Sequence, residues 1–119
     1  MKKRSKLEAE VQRQIEAAIG AEPDLLLFKN SVGKARYVTK TDGKEFHVPY
    51  GLGEGSPDLV GVLAPRGVWL CLEVKVPGED AEPHQAKVHD VWRRFGALVF
   101  VVHSADEART ALTTARGLR

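Results

Sequence analysis

Two apolar runs split by a short turn constrain this chain more than any other feature. Leu59-Val60-Gly61-Val62-Leu63 is followed by Pro65-Arg66-Gly67, then by Val68-Trp69-Leu70-Cys71-Leu72. Runs this dense, separated by turn residues, predict two buried strands paired as a hairpin. Both strands carry charge at the same end. Gly55-Ser56-Pro57-Asp58 leads into the first, and Glu73-Val74-Lys75 closes the second. Side chains alternate faces along a strand, so Glu73 and Lys75 point one way and Leu72, Val74 and Val76 the other. Antiparallel pairing brings Asp58 beside the end of the second strand. Two acids and a lysine thus converge at the open end of a mostly apolar hairpin.

Such a cluster is costly. Asp, Glu and Lys are seldom buried unless paired. Two carboxylates about 4 Å apart repel by roughly 4 kcal/mol at an effective dielectric of 20. A divalent cation between them turns that repulsion into binding, and hard oxygen ligands suit Mg²⁺ or Mn²⁺. A structural ion pair of Lys75 with Glu73 or Asp58 fits the same residues without any ion. The residues alone leave both readings open.

At 119 residues the chain is expected to form one domain, 1–119. Its 43% hydrophobic and 29% charged content suits a soluble globular protein. No apolar run approaches the roughly 18 residues that a membrane span needs. The basic N-terminus leads into a charged helix, so no secretory leader is expected. Cys71 has no partner for an internal disulfide, which suits a reducing cytoplasm, and it reads as a small buried hydrophobe. A net charge of +2 does not announce nucleic acid. Its distribution says more: Lys2, Lys3, Arg4 and Lys6 crowd the start. Lys29, Lys34, Arg36, Lys40 and Lys44 outnumber Asp42 and Glu45 across 29–50. Such patches neutralise phosphates or simply solvate a surface.

Residues 5–19 predict a helix with Ser5 as N-cap and Glu8 as its capping-box partner. Leu7, Val11, Ile15, Ala18 and Ile19 form its apolar face. Glu8 falls inside the edge of that face, Glu10 and Glu16 outside it. Leu25-Leu26-Leu27-Phe28 predicts a short strand. Asp42-Gly43, flanked by residues 35–39 and 44–48, predicts a polar hairpin, either an arm that grips a substrate or partner or a solvated excursion. Gly51, Gly53 and Gly55 predict a loop that contains Tyr50 and whose backbone approaches something closely, with phosphate one candidate. The spacing is not that of a phosphate-binding fingerprint. After Pro77-Gly78 a second helix runs from Pro83 to about Phe95, with Val88, Val91, Trp92 and Phe95 on its apolar stripe. Gln85 shares that stripe, either bonding a loop carbonyl or holding a water, metal ligand or phosphate near Lys75. His84 and His89 lack zinc-spaced partners and read as surface residues. Residues 97–102 are wholly apolar, as in a central strand covered on both faces. Ser104 and Glu107 predict a capping box for a last helix, 105–115, with Ala108, Ala111, Leu112 and Ala115 inward.

This order resembles the PD-(D/E)xK nucleases of restriction-endonuclease-like fold, and more narrowly the stand-alone, virus-type VRR-NUC domains. The residues that carry the resemblance are Gly53-Glu54-Gly55-Ser56-Pro57-Asp58-Leu59, Leu72-Glu73-Val74-Lys75, Gln85, the strand 96–102 with Ser104, and Glu8-Ala9-Glu10-Val11. The implied fold is α/β: a mixed sheet flanked by helices in α-β-β-β-α-β-α order, with residues 34–48 as an inserted hairpin arm. The implied activity is Mg²⁺- or Mn²⁺-dependent hydrolysis of DNA phosphodiesters. Asp58, Glu73 and the Val74 carbonyl would hold the ion. Lys75 would orient the attacking water, Gln85 would support the site, and Glu8 would contribute through a water or second ion, with Glu10 the alternative in a shifted register. The resemblance extends to dimeric Holliday-junction resolvases. It implies a homodimer acting on branched DNA in the cytoplasm of a bacterium or phage-infected host.

Overall fold

The computed structural model describes residues 5–119, so the expected Lys2-Lys3-Arg4 cluster lies outside the described residues. The elements are α1 (Lys6–Ile19), β1 (Leu25–Lys29), β2 (Gly33–Val38), β3 (Glu45–Tyr50), β4 (Leu59–Leu63), β5 (Val68–Val74), α2 (Pro83–Arg94), β6 (Leu98–Val102) and α3 (Ala105–Leu118). Four strands form a mixed sheet in the order β1-β4-β5-β6. The expected hairpin pairs Leu59 with Leu72 and Leu63 with Val68. β1 runs antiparallel to β4, and β6 parallel to β5. The parallel pair needs a crossover, which α2 supplies.

Alternation along β5 divides the core in two. Leu70, Leu72 and Val74 pack with Leu59 and Leu63 against Val11, Ile15 and Ile19 of α1 and Ala108, Ala111, Leu112 and Ala115 of α3. Cys71 packs with Val60 and Val99 beneath Trp92 of α2. Burial pushes the Cys71 thiol up to about 12, which keeps it protonated and unreactive. Helices α1 and α3 therefore cover one face of the sheet and α2 the other.

Caps and turns follow the local chemistry. Ser5 Oγ accepts from the Glu8 amide at 3.1 Å, and Ser104 Oγ from the Glu107 amide at 3.1 Å. Gly43, at φ +68°, turns the β2–β3 hairpin, and Lys44 N donates to Thr39 Oγ1 and Asp42 Oδ1. This hairpin forms its own two-stranded sheet. Arg116 grips both Asp24 oxygens at 2.8 Å, and Arg119 adds a bond at 2.8 Å, tying the end of α3 to the entry of β1. The two guanidinium groups hold the Asp24 carboxyl well below the usual carboxylate range.

Four expectations need correction. β6 is an edge strand, not a central one; its apolar run reflects coverage of both faces by α2 and α3. Leu7 is exposed, because the part of α1 buried in the core begins at Val11. Val91 and Phe95 are exposed, Phe95 at 90%, because α2 turns Gln85, Val88, His89 and Trp92 toward the sheet instead. Tyr50 closes β3 rather than lying in the glycine loop, and its ring covers Gly33.

Ile15 is fully buried between α1 and the sheet. Ile15→Ala is expected to cost about 2–5 kcal/mol, read from the midpoint of urea unfolding with an unchanged slope.

Candidate active site

A cavity of about 600 Å³ opens where β5 ends, and Glu8, Asp58, Glu73, Lys75 and Gln85 all line it. Glu73 and Lys75 lie on the α2 side of the sheet because β5 alternates, and both are buried, at 1% and 6% exposure. Asp58 stands at the start of β4, and its Oδ2 accepts the Val74 amide hydrogen at 2.7 Å. The carboxylate is thus fixed against the last residue of the neighbouring strand. Gln85, on the first turn of α2, accepts the Glu82 amide through Oε1 at 2.9 Å. Its Nε2 donates to Glu73 Oε2 at 3.4 Å. The expected bond to a loop carbonyl is replaced by one from a loop amide, and the same side chain also reaches Glu73. Glu8 enters from α1 on the opposite face of the sheet. Glu10 instead pairs with Arg13 on the surface, so the α1 acid facing the cavity is Glu8.

The loop before Asp58 is held by Asn30, a residue that no sequence signal singles out. Asn30 Nδ2 donates to Ser56 Oγ and to the Pro57 carbonyl, both at 2.7 Å, and Oδ1 accepts the Leu52 amide at 3.0 Å. Its own amide reaches the Asp58 carbonyl at 2.8 Å. The close approaches of the loop are to the protein itself. A side chain at Gly51 would strike the Ser31 carbonyl, and a Cβ at Gly55 would sit 2.9 Å from Val88 Cγ2. Both glycines also have positive φ, which other residues rarely adopt.

His89 is the second residue that sequence reasoning missed. Expected on the surface, it is 1% exposed, and its Nε2 lies 3.3 Å from Glu73 Oε1. The available signal was its spacing: His89 follows Gln85 by four residues, so a helix that turns one inward turns the other inward too. Burial, and secondarily Arg93, lowers the His89 pKa against the opposing pull of Asp58 and Asp90. The imidazole is therefore neutral at neutral pH.

The lining is strongly acidic. Glu8, Glu54, Asp58, Glu73 and Glu82 face the cavity along with one lysine, Lys75. Among the described residues, no three Asp, Glu, His or Cys side chains come close enough to hold an ion by themselves. The donor set still fits a hard cation such as Mg²⁺, which keeps several waters and takes one or two carboxylates. In a strand, one residue's N–H and C=O point to the same side. The Val74 carbonyl is therefore directed to the side on which its amide meets Asp58.

His103 braces the loop that carries Glu82 into α2. Its Nδ1 lies 2.9 Å from Glu107 Oε1 and its Nε2 2.6 Å from the Glu79 carbonyl. Both partners accept, so the protonated ring satisfies both. The Glu107 carboxylate, helped by the Glu79 carbonyl, raises the His103 pKa. A raised folded-state value means that this contribution is complete below the unfolded pKa of about 6.5 and fades as pH rises through the folded value. His103→Gln is expected to flatten the fall in unfolding free energy between about pH 6 and pH 8, measured by denaturant titration across that range.

No family model matches the chain, and no curated protein matches it. A solved structure described as a VRR_NUC domain does match, at 27% sequence identity and a TM-score of 0.60. The match covers 92% of this chain and 97% of that one. With the shared fold spanning nearly the whole of both chains, and Asp58, Glu73 and Lys75 gathered at one cavity, the match gives the chain a VRR-NUC-like, restriction-endonuclease-like fold and supports a VRR-NUC domain nuclease.

Proposed function

We propose that this nuclease is a divalent-metal-dependent endonuclease that cleaves branched DNA, such as four-way junctions, as a homodimer. The observation that carries the reading is the burial of Glu73 and Lys75 beside Asp58 in an acid-lined cavity. Asp58, Glu73 and the Val74 carbonyl would hold Mg²⁺ or Mn²⁺. When bound, the ion lowers the pKa of a coordinated water and offsets charge on the phosphate oxygens.

The chain's own residues do the rest. Lys75 presents an ammonium to the cavity, where it holds the attacking water and neutralises charge developing on phosphate. Gln85 fixes Glu73, and Asp58 is fixed by the Val74 amide. Glu8 adds an acceptor from the far side, acting through a water or a second ion. The β2–β3 hairpin springs from beside the cavity, since Ser31 and Val32 at its root line it. Lys34, Lys40 and Lys44 are exposed there, while Arg36 is engaged by Glu45 at 2.6 Å. A cationic arm next to the site supports contact with the DNA backbone.

Selectivity for branched DNA and dimerisation rest on backbone contact and symmetry. The exposed lysines of the hairpin beside the cavity suit the phosphate backbone, which favours reading shape over sequence. Even cleavage of a four-way junction calls for two equivalent sites, which a two-fold homodimer provides.

The test is a panel of labelled four-way junction, linear duplex and single strand, with Mg²⁺, Mn²⁺ or EDTA. Junction cleavage with either metal and none in EDTA is expected. Glu73→Gln should slow it on the order of 1,000-fold, matching the several kcal/mol of charge stabilisation a metal supplies. Preferential cutting of linear duplex would replace junction selectivity with an ordinary duplex nuclease. Tight junction binding with no turnover under any metal would leave a DNA-binding module.

The two candidate acids of α1, Glu8 and Glu10, separate in the same assay. Glu8→Gln is expected to reduce junction cleavage by roughly 10-fold or more, while Glu10→Gln, which loses only a surface ion pair, stays within about two-fold.

A further inference from the structure

We infer that His89 is a positioning residue, which with Gln85 fixes the two oxygens of the Glu73 carboxylate and so sets its aim toward a divalent cation. The inference rests on the metal-dependent reading of the site and adds a residue that neither the sequence motif nor the match to known structures assigns. Three observations carry it. First, His89 and Glu73 are both almost completely buried, with side chains 1% and 2% exposed. A polar ring placed this deep without a purpose costs stability. Second, His89 Nε2 forms no hydrogen bond among the described residues, and the oxygen it faces at 3.3 Å is Glu73 Oε1. Third, Gln85 Nε2 reaches the other oxygen, Oε2, at 3.4 Å. Gln85 and His89 are four residues apart on α2, so one helix face presents a donor to each oxygen of one carboxylate.

The Gln85 bond is longer than the best hydrogen bonds, and His89 Nε2 stands close to its oxygen without yet bonding it, so the two groups bracket Glu73 without locking it. A carboxylate has about four acceptor positions, so contacts from Gln85 and His89 do not by themselves exclude a metal bond. Outer contacts of this kind orient a ligand and tune its affinity for metal. Packing alone would be served as well by an apolar side chain of similar size, and this difference makes the role testable.

The experiment measures Mn²⁺ binding to the full chain without DNA, by calorimetry and by loss of the free-ion resonance signal. The proteins are wild type, His89→Leu, His89→Gln and Glu73→Gln, each with its thermal melt recorded. Expected is a 10- to 100-fold weaker affinity in His89→Leu, near-complete recovery in His89→Gln, which restores a donor, and little binding in Glu73→Gln. Normal Mn²⁺ affinity in a folded His89→Leu, with Glu73→Gln impaired, overturns the positioning role and leaves the metal site intact. No Mn²⁺ binding by wild type overturns the metal reading and this inference with it.

A second measurement needs no variant and holds even where His89→Leu does not fold. In nitrogen-15-labelled wild type, the His89 ring should carry its proton on Nε2, and its nitrogen signals should shift on adding Mg²⁺. A ring protonated on Nδ1 alone and insensitive to Mg²⁺ overturns the inference.

Discussion

The structure depends on burying a carboxylate and an ammonium at the end of a core strand. Glu73 shares β5 with Leu70, Leu72 and Val74, Lys75 follows directly after it, and all five are buried. Desolvating such charges is unfavourable unless partners are built around them. β5 supplies the condition through alternation. Its even-numbered residues anchor the core under α1 and α3, and its odd-numbered ones look toward α2. A slip of one residue in register would exchange the two sets, placing both charges in the apolar layer. The hydrophobic pattern that holds the sheet together is therefore the same pattern that delivers the charges to the cavity.

The partners come from every side of that strand end. β4 brings Asp58, already fixed by the Val74 amide. α2 brings Gln85 and His89, one toward each oxygen of Glu73. α1, on the other face of the sheet, brings Glu8 to the cavity mouth. Asn30, at the end of β1, bonds to the loop at Leu52, Ser56, Pro57 and Asp58, so the approach to β4 is held at four points. Rigid elements, not a mobile loop, set the positions of these side chains, and small angular tolerances of this kind are what site chemistry requires.

What the sequence made legible follows from how local each signal is. The β4–β5 hairpin, the charges at its open end and the capped helices α1 and α3 are written in adjacent residues and simple periods. The inner face of α2 is not. Hydrophobicity points to Val91 and Phe95 beside Gln85, whereas the helix turns His89 inward with Gln85, because the surface it covers carries Glu73 and Lys75 and needs polar partners. A polar inward face looks like an outward one until the opposing strand is known. β6 was misplaced at the sheet centre because an apolar run records coverage of both faces, and helices supply that coverage at an edge as well as strands do between neighbours. Asn30 was invisible for a different reason: its side-chain bonds reach residues 22 to 27 positions away, and no short pattern encodes them.

The distribution of charge sets lysines and carboxylates side by side. Across the described residues, cations cluster on the β2–β3 hairpin, at Lys34, Lys40 and Lys44, while five carboxylates face the cavity at its root. A phosphate drawn to the hairpin approaches those carboxylates, and like charges repel. On the metal-dependent reading, a divalent ion relieves that repulsion and completes the site in one event, so metal occupancy and DNA engagement favour each other. The coupling needs no moving part. It follows from placing the acids on rigid strand and helix ends and the lysines on an arm that stands outside the main sheet.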